Sequence, residues 1–106
     1  MSDDVAPVVE ITSMGRGASI RYREGTNQIP FDLEFAMSPA VALMWGPKQQ
    51  EWDARYPWAI GRQDAIYTFV GAEVVRQKAP GCGCVFDAAS GELTILTDGG
   101  MRMRSS

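Results

Sequence analysis

Hydrophobic and polar positions alternate most regularly over residues 28–35. Ile29, Phe31, Leu33 and Phe35 fall on one side, and Gln28, Asp32 and Glu34 on the other. Successive side chains of an extended strand point to opposite faces, so a period of two predicts a strand with one buried face. Pro30 has no N–H to donate, which predicts an edge strand or a place near the strand's start. Residues 18–24 alternate as well, with Ile20 and Tyr22 against Arg21 and Arg23. Gly25-Thr26-Asn27 supplies turn residues between the two runs, and together they predict a hairpin. A short β-prone run at residues 8–12 precedes them, ended by the break at residues 14–17. Residues 40–45 are apolar on both sides, the pattern of a central strand covered on both faces, and Gly46-Pro47 ends it.

The period changes at residues 62–79. Ile66, Phe69, Val70 and Val74 form a stripe at helical spacing. Asp64 in the first turn and Arg76 and Lys78 in the last turn complement the helix dipole, and Pro80-Gly81 is a stop signal. Gly71 inside the helix costs up to about 1 kcal/mol relative to alanine, so its presence predicts a close approach there. Residues 84–87 and 92–97 then predict a closing hairpin. Strands, one helix and strands again is the α+β order. The expected fold is an antiparallel sheet of about five to six strands with one helix, residues 62–79, packed on one face. Residues 1–97 form the single domain, and residues 98–106 a flexible tail.

Composition narrows function. The chain has 106 residues and ordinary globular hydrophobicity, and its net charge of −3 repels phosphates. Nucleic acid is therefore a poor partner and a cationic protein a better one. No apolar run is long enough to span a bilayer, so no membrane partner is expected. The acidic N-terminus lacks the basic-then-apolar pattern of a secretory signal, which leaves a cytoplasmic location as the expectation. Histidine is absent, which excludes Ser-His-Asp and Cys-His catalysis and removes the commonest metal ligand. Gly15-Arg16-Gly17 lacks the rest of a dinucleotide fingerprint and predicts a turn. Neither an enzyme nor a cofactor is expected.

Two stretches still suggest chemistry. Both cysteines lie in Gly81-Cys82-Gly83-Cys84. A tetrahedral zinc site wants four Cys or His ligands, and two are here, so a metal would need carboxylates or a second subunit's thiolates. The pair follows a helix C-terminus, whose dipole has the wrong sign to stabilise a thiolate. A strand start is the better expectation, with Gly81 ending the helix and the cysteines packing as small hydrophobes. The second stretch lies in the predicted loop at residues 48–61, where Trp52, Tyr56 and Trp58 stand among Glu51, Asp53 and Arg55. These rings either cap the core or form a protein-binding surface, since Trp, Tyr and Arg dominate interface hot spots. Asp53 is placed to brace the loop by accepting backbone N–H bonds. Asp32 with Glu34, and Arg16 with Arg21 and Arg23, are expected on solvated strand faces.

Five pieces together resemble a family. They are Ile20, Tyr22 and Glu24 in an early strand, the apolar strand at residues 31–35, the Trp52-Asp53…Tyr56 loop, Ile60, and the helix around Ile66 and Val70. In this order, over residues 18–97, they resemble the small immunity proteins of bacterial toxin–immunity systems. The resemblance implies an α+β fold, no catalysis, and binding to a cognate toxin domain that it inhibits. Glu51, Trp52, Asp53, Arg55, Tyr56 and Trp58 are the partner-binding candidates read from the residues themselves. Two alternatives stand beside this expectation: a structural domain that dimerises through the same aromatics, and a redox or metal module built on Cys82 and Cys84.

Overall fold

The computed structural model describes residues 6–35, 40–96 and 100–103. Strands β1 (Val8–Met14), β2 (Gly17–Glu24), β3 (Asn27–Phe35) and β4 (Ala40–Trp45) come first. Helix α1 (Gln49–Arg55), a 3-10 turn at Pro57–Ala59 and helix α2 (Gln63–Lys78) follow, then β5 (Gly83–Asp87), β6 (Glu92–Leu96) and β7 (Gly100–Met103). The seven strands form one sheet in the order β1-β2-β3-β4-β6-β5-β7. Every pairing is antiparallel except β5 with β7. The α+β class and the antiparallel body of the sheet follow the pattern of the sequence.

The details differ from the expectation: the sheet has seven described strands rather than five to six, and there are two α-helices rather than one. The segment at residues 48–61 is not all loop, because α1 occupies half of it. Gly100–Met103, expected in a flexible tail, runs as an edge strand parallel to β5; the flanking residues 97–99 and 104–106 lie outside the described residues. Pro30 sits on an interior strand, yet pairing of β3 with β4 begins only at Asp32↔Trp45, so no β4 residue asks for its missing N–H.

Both hairpins at the start turn on two residues with glycine first, Gly15 and Gly25, each at a φ of 65°. That is the pattern of the type II′ turn, whose twist matches the flanking strands. The alternating positions then deliver Val9, Ile20, Tyr22, Ile29, Phe31 and Leu33 to one buried face. Phe35 keeps their parity but is 52% exposed, at the strand's end. β4 places Ala42 and Met44 on that same face, with Val41, Leu43 and Trp45 half-buried. It is central in the sheet but fully covered on one face only.

Helix α2 lies across this face with Ile66, Tyr67, Val70, Gly71 and Val74 buried, and Phe69 half-buried with its ring edge-on to Tyr22. A Cβ on Gly71 would stand 2.8 Å from Leu93 Cδ1 and 3.4 Å from Cys84 Sγ. The glycine therefore lets the helix close down on β5 and β6. Among the described residues, no helix is long and apolar enough to cross a membrane.

A buried polar node ties the connection that leaves β4 to the turn between β5 and β6. Gln63, 6% exposed, donates from Nε2 to the Pro47 carbonyl at 3.2 Å and the Ala88 carbonyl at 3.1 Å. The Tyr67 hydroxyl donates to the Gly91 carbonyl at 2.8 Å, with the Pro47 carbonyl 3.1 Å away. Burial pushes the Tyr67 hydroxyl's pKa up, so it remains a donor. Backbone bonds from Gly46 to Gly91 and from Gln49 to Ala88, both 3.1 Å, complete the node.

Gly91 is the tightest point of this node. Its φ is +73°, and a Cβ there would lie 2.6 Å from the Gly46 carbonyl oxygen and 2.9 Å from that of Pro47. The left-handed conformation costs about 1–2 kcal/mol for an L-residue, and backbone cannot yield as a side chain can. Gly91→Ala is therefore expected to lower unfolding stability by more than about 2 kcal/mol in urea titrations. An alanine variant as stable as the wild type would show that the turn relaxes.

Candidate functional site

Helix α1 divides the six partner-binding candidates by facing. Trp52, 1% exposed, points inward, and its Nε1 donates to the Ala59 carbonyl at 2.7 Å. Tyr56 is also buried, at 8%, and lies against Trp52. Four residues separate them, so one face of α1 carries both rings into the core. These two are core residues of the shoulder that α1 and the 3-10 turn form, and only their edges reach its surface depressions. Asp53 is exposed and accepts the Gly61 N–H at 3.1 Å, the bracing role its position suggested. Glu51 and Arg55 are exposed and form a loose i,i+4 pair at 3.8 Å.

Trp58 is half-buried and anchors a strip of rings and cations. Arg55 lies over the Tyr56 ring at 5.7 Å, and Tyr56 meets Trp58 edge-on at 6.2 Å. Arg62 lies over the far side of the strip, 6.0 Å from the Trp58 ring. Ile60, beside them, is 60% exposed. Sequence reasoning placed Ile60 only within a family pattern and did not single out Arg62. The available signal was their position: an isoleucine next to a turn glycine, and an arginine just before a helix whose first turn needs a fixed approach.

Arg62 is held in place from below. Its guanidinium grips Glu24 with two bonds, Nη2 to Oε1 at 2.7 Å and Nη1 to Oε2 at 3.2 Å. Tyr22 donates its hydroxyl to the same carboxylate at 2.7 Å. The hydrogen bonds from Arg62 and then Tyr22 hold Glu24 below the ordinary carboxylate pKa. Burial, with help from Glu24, pushes Tyr22 up to about 12. Planar bidentate pairing fixes orientation as well as charge. This cluster joins the end of β2 to the shoulder.

Two depressions flank the strip. One, an open cleft of about 290 Å³, has Trp45 and Tyr56 among its lining and Asp32, Lys48, Glu51 and Arg55 as its charges. The other, of about 210 Å³, lies between α1 and the start of α2 and is lined by Gln49, Trp52, Asp53, Gly61, Gln63 and Asp64. Its charged lining residues are the carboxylates Asp53 and Asp64.

The cysteines lie elsewhere. Gly81, at a φ of 93°, follows the helix end as expected. Cys84 is buried on β5 with Sγ 3.7 Å from the Gly71 carbonyl, and Cys82 is half-buried just before the strand. Burial, and secondarily Cys82, pushes the Cys84 thiol up to about 11, where it is a poor nucleophile and a poor metal ligand. Among the described residues, no group of three or more His, Cys, Asp or Glu side chains could hold a metal ion.

Comparison with known proteins returned no matching family model, curated protein or solved structure. The shoulder is therefore interpreted from its own geometry.

The Glu24 cluster leaves a signature in the pH dependence of stability. Its carboxyl titrates lower in the folded chain than its ordinary value of 4.5. Its contribution is thus complete above about pH 4.5 and is lost as pH falls through the lowered folded value. Glu24→Gln is expected to be less stable than the wild type at neutral pH and to lose less stability on acidification below pH 4.5. Parallel acid limbs for the two proteins would show that the cluster contributes nothing.

Proposed function

We propose that this chain is a non-enzymatic binding module that grips a basic protein partner through the shoulder formed by α1 and the 3-10 turn. The observation that carries the proposal is the pairing of half-buried Trp58 with exposed Ile60, set between Arg55 and Arg62 on a braced support. Tryptophan and arginine are the residues on which interface energy concentrates, and an anchor already in place loses little entropy on binding. Asp53 and Asp64 in the adjoining depression, and Glu51 on α1, offer carboxylates to the partner's lysines and arginines. The net charge of −3 speeds encounter with such a partner.

The shifts resolved at titratable groups support a binding role over a catalytic one. Glu24 and Glu73 are lowered; Tyr22, Tyr56, Tyr67, Arg62, Arg76 and Cys84 are raised. Each shift moves its group away from neutrality, whereas an acid–base catalyst is tuned towards it.

A toxin domain inhibited by its immunity protein is a partner of the proposed kind, and it is the one the sequence resemblance implies. The proposed setting is the bacterial cytoplasm, where Cys82 and Cys84 remain thiols.

The test is growth rescue with the product of the adjacent reading frame. Expressed alone, that product should arrest growth, and this chain should relieve the arrest. Trp58→Ala is expected to weaken the isolated complex by about 2 kcal/mol, roughly thirtyfold, and Ile60→Asp by a comparable amount, with far-UV circular dichroism unchanged. A folded Trp58→Ala variant that binds as tightly as the wild type would remove the shoulder from the interface. An adjacent product that is harmless would contradict the immunity role.

A further inference from the structure

Among the described residues, the sheet's β1 edge carries none of the usual protection against pairing with another strand. Edge strands are ordinarily blunted by lysine, proline, a bulge or an inward-pointing charge. β1 reads Val8-Val9-Glu10-Ile11-Thr12-Ser13-Met14, with no lysine, no proline and one carboxylate. Its register against β2 runs unbroken from Val8↔Arg23 to Met14↔Gly17, so it has no bulge. The carboxylate, Glu10, points out of the sheet plane and lies 3.4 Å from Arg23 Nε of β2, both side chains remaining over 40% exposed. No described strand lies beyond β1.

The backbone groups available at this edge follow from the hairpin. The Gly15-Arg16 turn closes on Met14 and Gly17, so Met14, Thr12, Glu10 and Val8 spend their N–H and C=O groups on β2. Those of Val9, Ile11 and Ser13 point outward. We propose that the outward edge of β1 pairs antiparallel with β1 of a second copy, on a two-fold axis at Ile11, to join the two sheets into one. This inference is independent of the shoulder's role.

The occupant is a second copy because the strand complements itself in this register. Ile11 faces Ile11, and Val9 faces the partner's Ser13. Both are pairs whose free backbone groups meet. On the other face, Val8 meets Met14 of the copy. These side chains are 50% and 63% exposed, two of the four exposed large hydrophobic groups among the described residues. Glu10 meets Thr12, so no like charges stand directly opposite each other. Ile11 and Ser13 also form the β1 wall of an apolar cleft that runs under α2 to Val74. A neighbouring strand would extend that wall and cover the half-buried Ile11.

Sedimentation equilibrium at about 100 μM tests the inference, because association is read as mass against concentration. The wild type is expected at twice the chain mass of 11.6 kDa. Thr12→Glu puts like charges opposite Glu10 twice across the axis. It should raise the dissociation constant by about tenfold or more. Thr12→Lys, which puts opposite charges there, should tighten the dimer. Ser13→Pro, which removes an outward N–H, should be monomeric with unchanged circular dichroism. A monomeric wild type would overturn the inference and leave the edge to a strand of another protein. A dimer indifferent to both Thr12 substitutions would overturn it too, by placing the interface elsewhere.

Discussion

The node at Pro47, Ala88 and Gly91 is what the rest of the structure depends on. Two connections meet there, one leaving β4 and one turning between β5 and β6, and their carbonyls have no strand ladder to satisfy them. The Ala88 and Gly91 carbonyls also accept the backbone N–H groups of Gln49 and Gly46, but the Pro47 carbonyl has only α2 side chains, and a buried carbonyl left unpaired costs about 1–3 kcal/mol. Gln63 and Tyr67, one helical turn apart on α2, donate into this gap. The helix that covers the sheet therefore also fixes where its connections run. Gln49, at the start of α1, is bonded into the same node, so the shoulder inherits its position from it.

The path from node to surface is short. α1 leaves the node with Trp52 and Tyr56 turned inward, and the Trp52 indole holds the Ala59 carbonyl. That bond sets the 3-10 turn, and Asp53 fixes Gly61 just beyond it. Trp58 and Ile60 are left outside because their neighbours are committed inside. Arg62, gripped by Glu24, closes the strip from the β2 side. The proposed recognition role draws on this construction: the surface's cations and carboxylates are paired or solvated, and its apolar groups are few and fixed.

Much of this was readable in the residues. The period of two marked β2 and β3, and the stripe through Ile66, Val70 and Val74 marked α2 with ends close to those observed. Gly71 announced the close approach that Leu93 and Cys84 make. Helix α1 was hidden because Pro47 and Pro57 bracket a short polar segment, and only the Trp52–Tyr56 spacing carried a helical signal. β7 was hidden because its alternation, Met101 and Met103 about Arg102, is only three residues long beside a glycine pair; tertiary pairing with β5 makes the strand. The node itself was invisible, since Gln63 and Tyr67 are polar at one end and break the apolar stripe that they extend. In the site, Trp58 was legible as a surface aromatic, whereas the inward turn of Trp52 and Tyr56 and the exposure of Ile60 depend on tertiary packing.

Amide hydrogen exchange on the isolated protein decides whether the recognition surface exists before any partner arrives. The N–H groups of Tyr56, Ala59 and Arg62 donate to Trp52, Tyr56 and Ala59 at 2.8, 2.8 and 3.0 Å. If the node holds the shoulder, these amides exchange nearly as slowly as those in the middle of α2, because they open only when the whole domain opens. Exchange at the rate of a free chain, with α2 still protected, would mean that the shoulder is unstructured until bound and that the node does not position it.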